Sequence, residues 1–269
     1  MIFAGLDIGS VSTKVAIIDK DKKILCFEVL RTGSNSKKAA ERCMQIALDK
    51  AKLSFDNITN LIATGYGRKI VPFKSDEISE ISCHARGAHF LFPDTKTVID
   101  IGGQDSKAIR LDDSGEAIDF NMNDKCAAGT GRFLEEMAKA LDTTVENLGK
   151  LSLRSKKNLV ISSMCTVFAE SEVVSLLAEN ETREDVAMAL HNAIADRVLS
   201  LAHKVRLTNA VTVTGGVAKN IGVIEAIRSK LPNIIVNVPE ESQIIGAIGA
   251  SLIAHDLALS KEKFKEWIS

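Results

Sequence analysis

The sequence predicts an α/β protein built from two similar halves. Three observations carry this: an internal repeat, an alternation of strand-like and helix-like patterns, and glycine turns placed directly after apolar strands. Residues 7–19 and 100–112 match in one register, with Asp7/Asp100, Ile8/Ile101, Gly9/Gly102, Lys14/Lys107 and Asp19/Asp112 identical. Five identities at one spacing are too many for two unrelated hairpins.

Each repeat reads as a strand, a tight glycine turn and a return strand. In the first copy the strands are Ile2–Leu6 and Lys14–Ile18; in the second, Thr97–Ile101 and Lys107–Leu111. Such a hairpin can turn its backbone amides toward an anion. Apolar residues at helical spacing then predict helices over Ser36–Leu53, Ser79–Phe92, Gly131–Ala140, Val167–Asn180, Arg183–Val205, Ile221–Lys230 and Gln243–His255. Short apolar runs predict strands at Asn60–Ala63, Asn158–Ile161, Ala210–Val213 and Asn233–Val236, and Cys26 falls in a further strand. The boundary between halves is expected near Pro93-Asp94, giving residues 1–93 and 94–269, with the C-terminal helix packing back on the first half. No Pro/Ser-rich linker separates them, so a ligand cleft between the halves is expected.

Composition narrows the class. A chain of 269 residues with 45% hydrophobic and 26% charged residues can fill a core. Lys+Arg 34 against Asp+Glu 35 gives a net charge of −1, which disfavours a nucleic-acid partner. The run Ile244–Ala254 is broken by glycines and reads as too short for a bilayer. The N-terminus has no basic stretch before its apolar residues, so a cytoplasmic protein is expected. The tail from Ser260 to Ser269 reads as a short amphipathic helix with no membrane role.

Four glycine turns follow strand-like runs: Asp7-Ile8-Gly9-Ser10, Thr64-Gly65-Tyr66-Gly67, Asp100-Ile101-Gly102-Gly103 and Thr214-Gly215-Gly216-Val217. One such turn means little, because glycine serves wherever φ is positive. Four of them read as a phosphate-binding constellation, in which backbone amides donate without needing a cation. Lys14 adds charge, Ser10, Ser12 and Thr13 add hydroxyls, and Asp7 at a strand end suits hydrated Mg²⁺. Neither a P-loop nor a GxGxxG fingerprint occurs.

The five cysteines, Cys26, Cys43, Cys83, Cys126 and Cys165, form no CxxC pair and no disulfide framework. Cys126 and Cys165 each precede a helix, where the positive end of the dipole favours a thiolate. An iron–sulfur cluster takes four thiolates, so two per chain would require a symmetric dimer. Taken by themselves the two residues read more readily as small packed cysteines than as cluster ligands. Cys43, with Ala39, Ile46 and Ala47, and Cys26 read as core. Cys83 reads as core and the adjacent His84 as solvated or capped. Lys125 and Arg132 flank Cys126, while His89, His191, His203 and His255 are scattered. Glu170, Glu172 and Glu179 give the helix after Cys165 an acidic face, solvated or part of a docking surface.

The order DIGSVSTK, ATGYGR, DIGGQDSK, TGGVAKN and QIIGAIGAS resembles the actin–Hsp70–sugar-kinase superfamily. That resemblance implies duplicated actin-like (ribonuclease H-like) domains that clamp ATP and Mg²⁺. By it, Ser10, Val11, Ser12, Thr13 and Lys14 form one phosphate loop, and Gly102, Gly103, Gln104 and Asp105 the other. Gly215, Gly216 and Val217, with Gln243 nearby, are then on the adenosine side. Asp7 is expected to serve Mg²⁺, and Gln104 or Asp105 to orient the attacking water, with turn-capping the competing role for both.

NDKCAAGTGRFLE and SSMCTVFAESEV, with ISEISCHARGA and VIDIGGQDSK, are similar to the activators of 2-hydroxyacyl-CoA dehydratases, relatives of the ATPase subunits of benzoyl-CoA reductase. The resemblance spans essentially the whole chain. Met164 departs from it, as does the absence of a proline in the 31–40 loop. It implies an ATP-hydrolysing one-electron donor whose [4Fe–4S] cluster, one per dimer, bridges a homodimer through Cys126 and Cys165. The partners implied are the dehydratase and a ferredoxin or flavodoxin. The competing readings are a small-molecule kinase, disfavoured by the lack of room for a sugar subdomain, and a regulatory ATP-binding module.

Overall fold

A computed structural model describes the backbone of residues 1–162 and 165–268, with side chains as far as residue 260. Met164, the departure noted above, lies outside the described residues, as does Ser269. The chain forms two compact units: residues 1–93, 112–117 and 243–269, and residues 94–111 and 118–242.

The first unit holds a sheet in the order β3-β2-β1-β4-β5. Its strands are β1 (Ile2–Ile8), β2 (Ser12–Asp19), β3 (Ile24–Arg31), β4 (Ile58–Thr64) and β5 (Asp76–Glu77). β1 pairs antiparallel with β2 and parallel with β4. It is therefore central, and its residues Phe3, Ala4, Leu6 and Ile8 are all fully buried. Helix α1 (Ser36–Ala51) covers one face with Ala40, Cys43, Met44, Ala47 and Leu48. Each large side chain so buried contributes roughly 1.5–3 kcal/mol. The Asn35 side chain accepts from Lys38 N to start α1, and Lys52 ends it in the left-handed region at φ 56.

Helices α2 (Glu80–Leu91) and α8 (Ile245–Ile268) pack closely in the same unit. Small residues make the approach possible. A Cβ on Gly249 would strike the Cys83 carbonyl, one on Gly87 the Ile245 carbonyl, and one on Gly5 the Ala247 carbonyl. By length and composition the window Ser242–Ser260 could cross a membrane, so the sequence-based reading of this run as too short is corrected. Its residues are 67% buried inside the protein, and its apolar surface serves the core. The expected start at Gln243 is a single 3₁₀ turn over 242–244, and the expected separate tail helix continues α8.

The second unit repeats the plan. Its strands are β6 (Thr97–Ile101), β7 (Ser106–Leu111), β8 (Ala117–Asn123), β9 (Val211–Thr214) and β10 (Val236–Asn237). Their order, β8-β7-β6-β9-β10, is the order of the first sheet with β6 in place of β1. β6 likewise pairs antiparallel with β7 and parallel with β9. Around this sheet lie α3 (Gly131–Ala140), α4 (Val145–Ser152), α5 (Thr166–Ala178), α6 (Arg183–Lys204) and α7 (Ile221–Lys230). Phe133, Leu134, Met137, Leu190 and Ile194 join Ile99, Ile101, Val211 and Val213 in the core.

One expected strand does not form. Asn158–Ile161 pairs with no strand; Ile161 is buried while Val160 is 74% exposed. An apolar run this short can be an anchored loop as readily as a ladder. β3, β5, β8 and α4 are elements for which the pattern gave no explicit bounds.

Candidate nucleotide and thiol site

The repeat becomes geometry at the β1–β2 and β6–β7 turns. Asp7 stands opposite Lys14 in the ladder, and Asp100 opposite Lys107. Lys14 Nζ lies 3.1 Å from Asp7 Oδ2, and Lys107 Nζ lies 3.3 Å from Asp100 Oδ2. Both aspartates are nearly inaccessible, at 4% and 3%. Pairing through hydrogen-bonded opposite charges is what makes burial of such groups tolerable. Each turn is closed by a glycine amide: Gly9 N donates to Ser12 O at 3.0 Å, and Gly102 N to Asp105 O at 2.9 Å.

A second glycine faces each aspartate. Gly65 has φ +82 and Gly215 φ +89, a region that favours glycine. A Cβ on Gly65 would meet Asp7 Oδ1 and the Ile8 carbonyl. A Cβ on Gly215 would meet Asp100 Oδ1 and the Ile101 carbonyl. In the second unit Thr214 Oγ1 also donates to Asp100 Oδ1 at 2.8 Å. Two residues absent from the sequence reading support these turns. Ser242 accepts from Gly215 N and donates through Oγ to Gly215 O, both at 2.9 Å. Thr32 donates to Gly9 O at 2.8 Å and lies 3.0 Å from Thr13 Oγ1.

The individual site residues fall as follows. Ser10 at the tip of the first turn is exposed and Val11 and Ser12 are half-buried, while Lys14, in β2, turns toward Asp7. Thr13 is fully buried, its hydroxyl engaged by Thr32 and its backbone in β2 between β1 and β3, so it holds the turn in place. Gly102 and Gly103 also receive the start of α3, through Gly131 N and Arg132 N, each at 2.9 Å from their carbonyls. Gln104 is exposed. Asp105 is held 2.8 Å from Lys107 Nζ and folds over Gly102. Gly216 and Val217 form a 3₁₀ turn that leads into α7, capped by Asn220. Gln243 is half-buried and belongs to the first unit, whereas Gly215, Gly216 and Val217 belong to the second.

His84 narrows an expectation. Of the two expected states, solvated or capped, its 5% exposure removes the first. A Cβ on Gly246 would lie 2.9 Å from His84 Nε2 and 3.1 Å from Asp7 Oδ2, so imidazole and carboxylate share one small space with the first turn of α8. Adjacent helix positions usually diverge; here α8 covers both. Cys83 and Cys43 are buried as expected, and burial pushes each thiol up to about 12. Cys26 is half-buried rather than core.

The two remaining thiols lie in the second unit. Cys165 is exposed and is the N-cap of α5, its carbonyl accepting from Ala169 N at 2.8 Å. Cys126 does not sit at a helix end. The α3 N-cap is Thr130, and Cys126 lies in the turn before it, half-buried. Asn123 Nδ2 donates to Cys126 O at 2.8 Å and Ala128 O at 3.1 Å, and Thr130 Oγ1 donates to Ala127 O at 2.6 Å. This loop is held by its own side chains, so the dipole argument applies to Cys165 alone. Among the described residues no group of three or more His, Cys, Asp or Glu is placed to hold a metal.

A family model matches residues 4–254 of the chain: the BadF/BadG/BcrA/BcrD ATPase family. The chain belongs to this family. It is 44% identical over 97% of its length to the activator of lactoyl-CoA dehydratase from Anaerotignum propionicum, covering 100% of that protein. Component A of the (R)-2-hydroxyglutaryl-CoA dehydratase of Acidaminococcus fermentans has a solved structure at TM-score 0.93 and 40% identity. The match covers 96% of this chain and 99% of that one. The activator of the 2-hydroxyisocaproyl-CoA dehydratase of Clostridium difficile, solved with bound ADPNP, matches at TM-score 0.91 and 42% identity, over 98% and 97%. The two sheets of shared strand order are the duplicated actin-like fold of ATPases and sugar kinases. The chain carries one aspartate–lysine turn in each unit.

Proposed function

We propose that this ATPase is a one-electron donor that reductively activates a 2-hydroxyacyl-CoA dehydratase, hydrolysing ATP to make the transfer directional. The observation that carries the reading is the conjunction of paired phosphate turns with Cys126 and Cys165 on one unit. ATP phosphates are assigned to residues 10–14 and 102–105, and the adenosine side to Gly215, Gly216, Val217 and Gln243. Asp7 is assigned to Mg²⁺: its carboxylate lies near the end of β1, with its oxygens against the main chain at Gly65 and Gly246. Orientation of the hydrolytic water is assigned to Gln104 or Asp105. Gln104 is exposed, while the ion pair of Asp105 with Lys107 favours a turn-holding role. The domains proposed are residues 1–93 and 94–269, with the C-terminal helix of the second packing back on the first, as its place in the first compact unit supports.

The donor chemistry fits a [4Fe–4S] cluster shared by two copies. Cys165 is exposed and Cys126 is half-buried in a stapled turn, two thiols of the second unit where a cluster takes four. Exposed apolar residues flank both: Ile118 and Phe120 before Cys126, and Val160, Val167 and Phe168 around Cys165. When bound, the cluster supplies a low-potential electron. This chain's part is to hold the thiolates in the second unit, on the segments that lead into α3 and α5. Gly102 and Gly103 bind the first amides of α3, so a ligand at that phosphate turn acts on the helix next to Cys126. A ferredoxin or flavodoxin is the proposed electron source and the cytoplasm the proposed location.

Anaerobic purification tests the reading. A brown protein with about four iron per dimer is expected, with an EPR signal after reduction that ATP alters. Cys126→Ser is expected to bleach it while nucleotide binding persists. Colourless protein whose ADP production depends on an added small-molecule acceptor would instead support a kinase.

A further inference from the structure

Two carboxylates hold the irregular stretch that leads to Cys165. At its start, Asp185 of α6 accepts from Ser155 Oγ at 2.9 Å, Lys156 N at 2.7 Å and Lys157 N at 2.8 Å. Asp185 is 2% exposed, and the hydroxyl of Thr182 and these amides hold its carboxyl well below the usual carboxylate range. At the far end, Ser162 donates to Glu172 Oε1 through its backbone N–H at 3.0 Å and its hydroxyl at 3.2 Å. Glu172 lies on α5 itself, the helix that Cys165 caps. The loop before the cysteine is therefore tied to the helix after it.

From these contacts we infer that Glu172 is a positioning residue for Cys165. It rests on the cluster reading above. Ser162 is three residues before Cys165, a span of at most roughly 11 Å of chain. With Ser162 fixed to α5, and Cys165 O accepting from Ala169 N, the backbone on both sides of the thiol is referred to one rigid element. A thiolate that must meet three others at a shared centre needs this, because residues 158–162 ahead of it form neither helix nor strand. The neighbouring acidic residue Glu170 makes no such tie in the contacts described, so the acidic pattern of this helix divides into one structural carboxylate and solvated ones.

Anaerobically reconstituted wild type, Glu172→Ala, Glu172→Gln and Ser162→Ala would be compared. The readings are iron per dimer, the EPR spectrum after reduction, the rate of bleaching by an iron chelator, and binding of a fluorescent ATP analogue. Glu172→Ala is expected to bleach about tenfold faster, the scale of one hydrogen bond to a charged acceptor, with an altered EPR line shape and unchanged ATP binding. Glu172→Gln keeps an acceptor oxygen and is expected to restore most of the retention, and Ser162→Ala to fall between. Hydrogen exchange at the Ser162 amide supplies a reading independent of iron: it should quicken in Glu172→Ala. Iron-loaded wild type with an alanine variant of the same spectrum and bleaching rate overturns the role of Glu172 alone. Wild type that takes up no iron overturns the cluster reading and this role with it.

Discussion

At the scale of single residues, the two aspartate–lysine pairs are similar in geometry and unequal in burial. Lys107 is 3% exposed at its side chain and Lys14 14%. Removing one partner of a buried pair strands the other charge, at a cost of about 3–5 kcal/mol. Lys107→Ala is therefore expected to lose that order of stability in urea melts, while Lys14→Ala loses less and chiefly weakens nucleotide binding. Gly65→Ala is a second expectation. A side chain at φ +82, aimed at Asp7, costs at least about 1 kcal/mol in backbone strain and displaces the carboxylate. Titration with a fluorescent nucleotide should show at least about tenfold weaker binding. The aspartates, the lysines and the glycines were all legible in the chain, since they recur at one spacing in both copies of the repeat and that spacing sets each aspartate opposite its lysine. Ser242 and Thr32 were not legible. Each serves a turn remote in sequence through a hydroxyl, and an isolated Ser or Thr gives no signal of that kind.

Among secondary-structure elements, α4 and α6 share a buried contact with a consequence for pH. His191 of α6 is fully buried, its Nδ1 2.9 Å from Ser152 Oγ of α4. Burial lowers its pKa to about 4 from an ordinary 6.5. The folded state thus favours neutral imidazole. Its contribution is complete above pH 6.5 and is lost as pH falls from there toward 4, about 3 kcal/mol in all. Thermal melts between pH 7.5 and 4.5 should show that slope, and His191→Gln should flatten it. The long amphipathic helices declared themselves by periodicity, with α3 and α7 falling on the expected bounds. α4 has only eight residues, too few for a period to emerge. β8 lies at the edge of its sheet with Ile118 and Phe120 exposed, so burial did not write a strand pattern there. Asn158–Ile161 shows the converse: an apolar run kept for anchoring, with hydrogen bonds to carboxylates beside it in place of a ladder.

For the whole molecule, the repetition of strand order and of paired turns was legible because it is written twice in one chain. A helix over Gln243–His255 that packs back on the first half was expected, but not how closely it approaches, because the glycines of 246–250 gain meaning only beside Gly5 and Gly87. Here the expectation concerns ligand linkage. An ATP analogue at about one hundred times its dissociation constant should add about 2.7 kcal/mol to stability. For a chain of this size that is a rise of roughly 5–10 °C in Tm. Gly249→Leu is expected to lower Tm and to leave the thiol segments of the second unit as they are, because its collision is with the Cys83 carbonyl.

The Gly246 contact carries its own consequence. What stands against Asp7 and His84 there is main chain, with no side chain that could rotate out of the way. Any crowding of that carboxylate by an incoming ion must be answered by the body of a 24-residue helix that also rides on Gly5 and Gly87. A displacement of tenths of an ångström at one oxygen is thereby geared to a rod some 36 Å long, and a methyl group at position 246 would jam the gear.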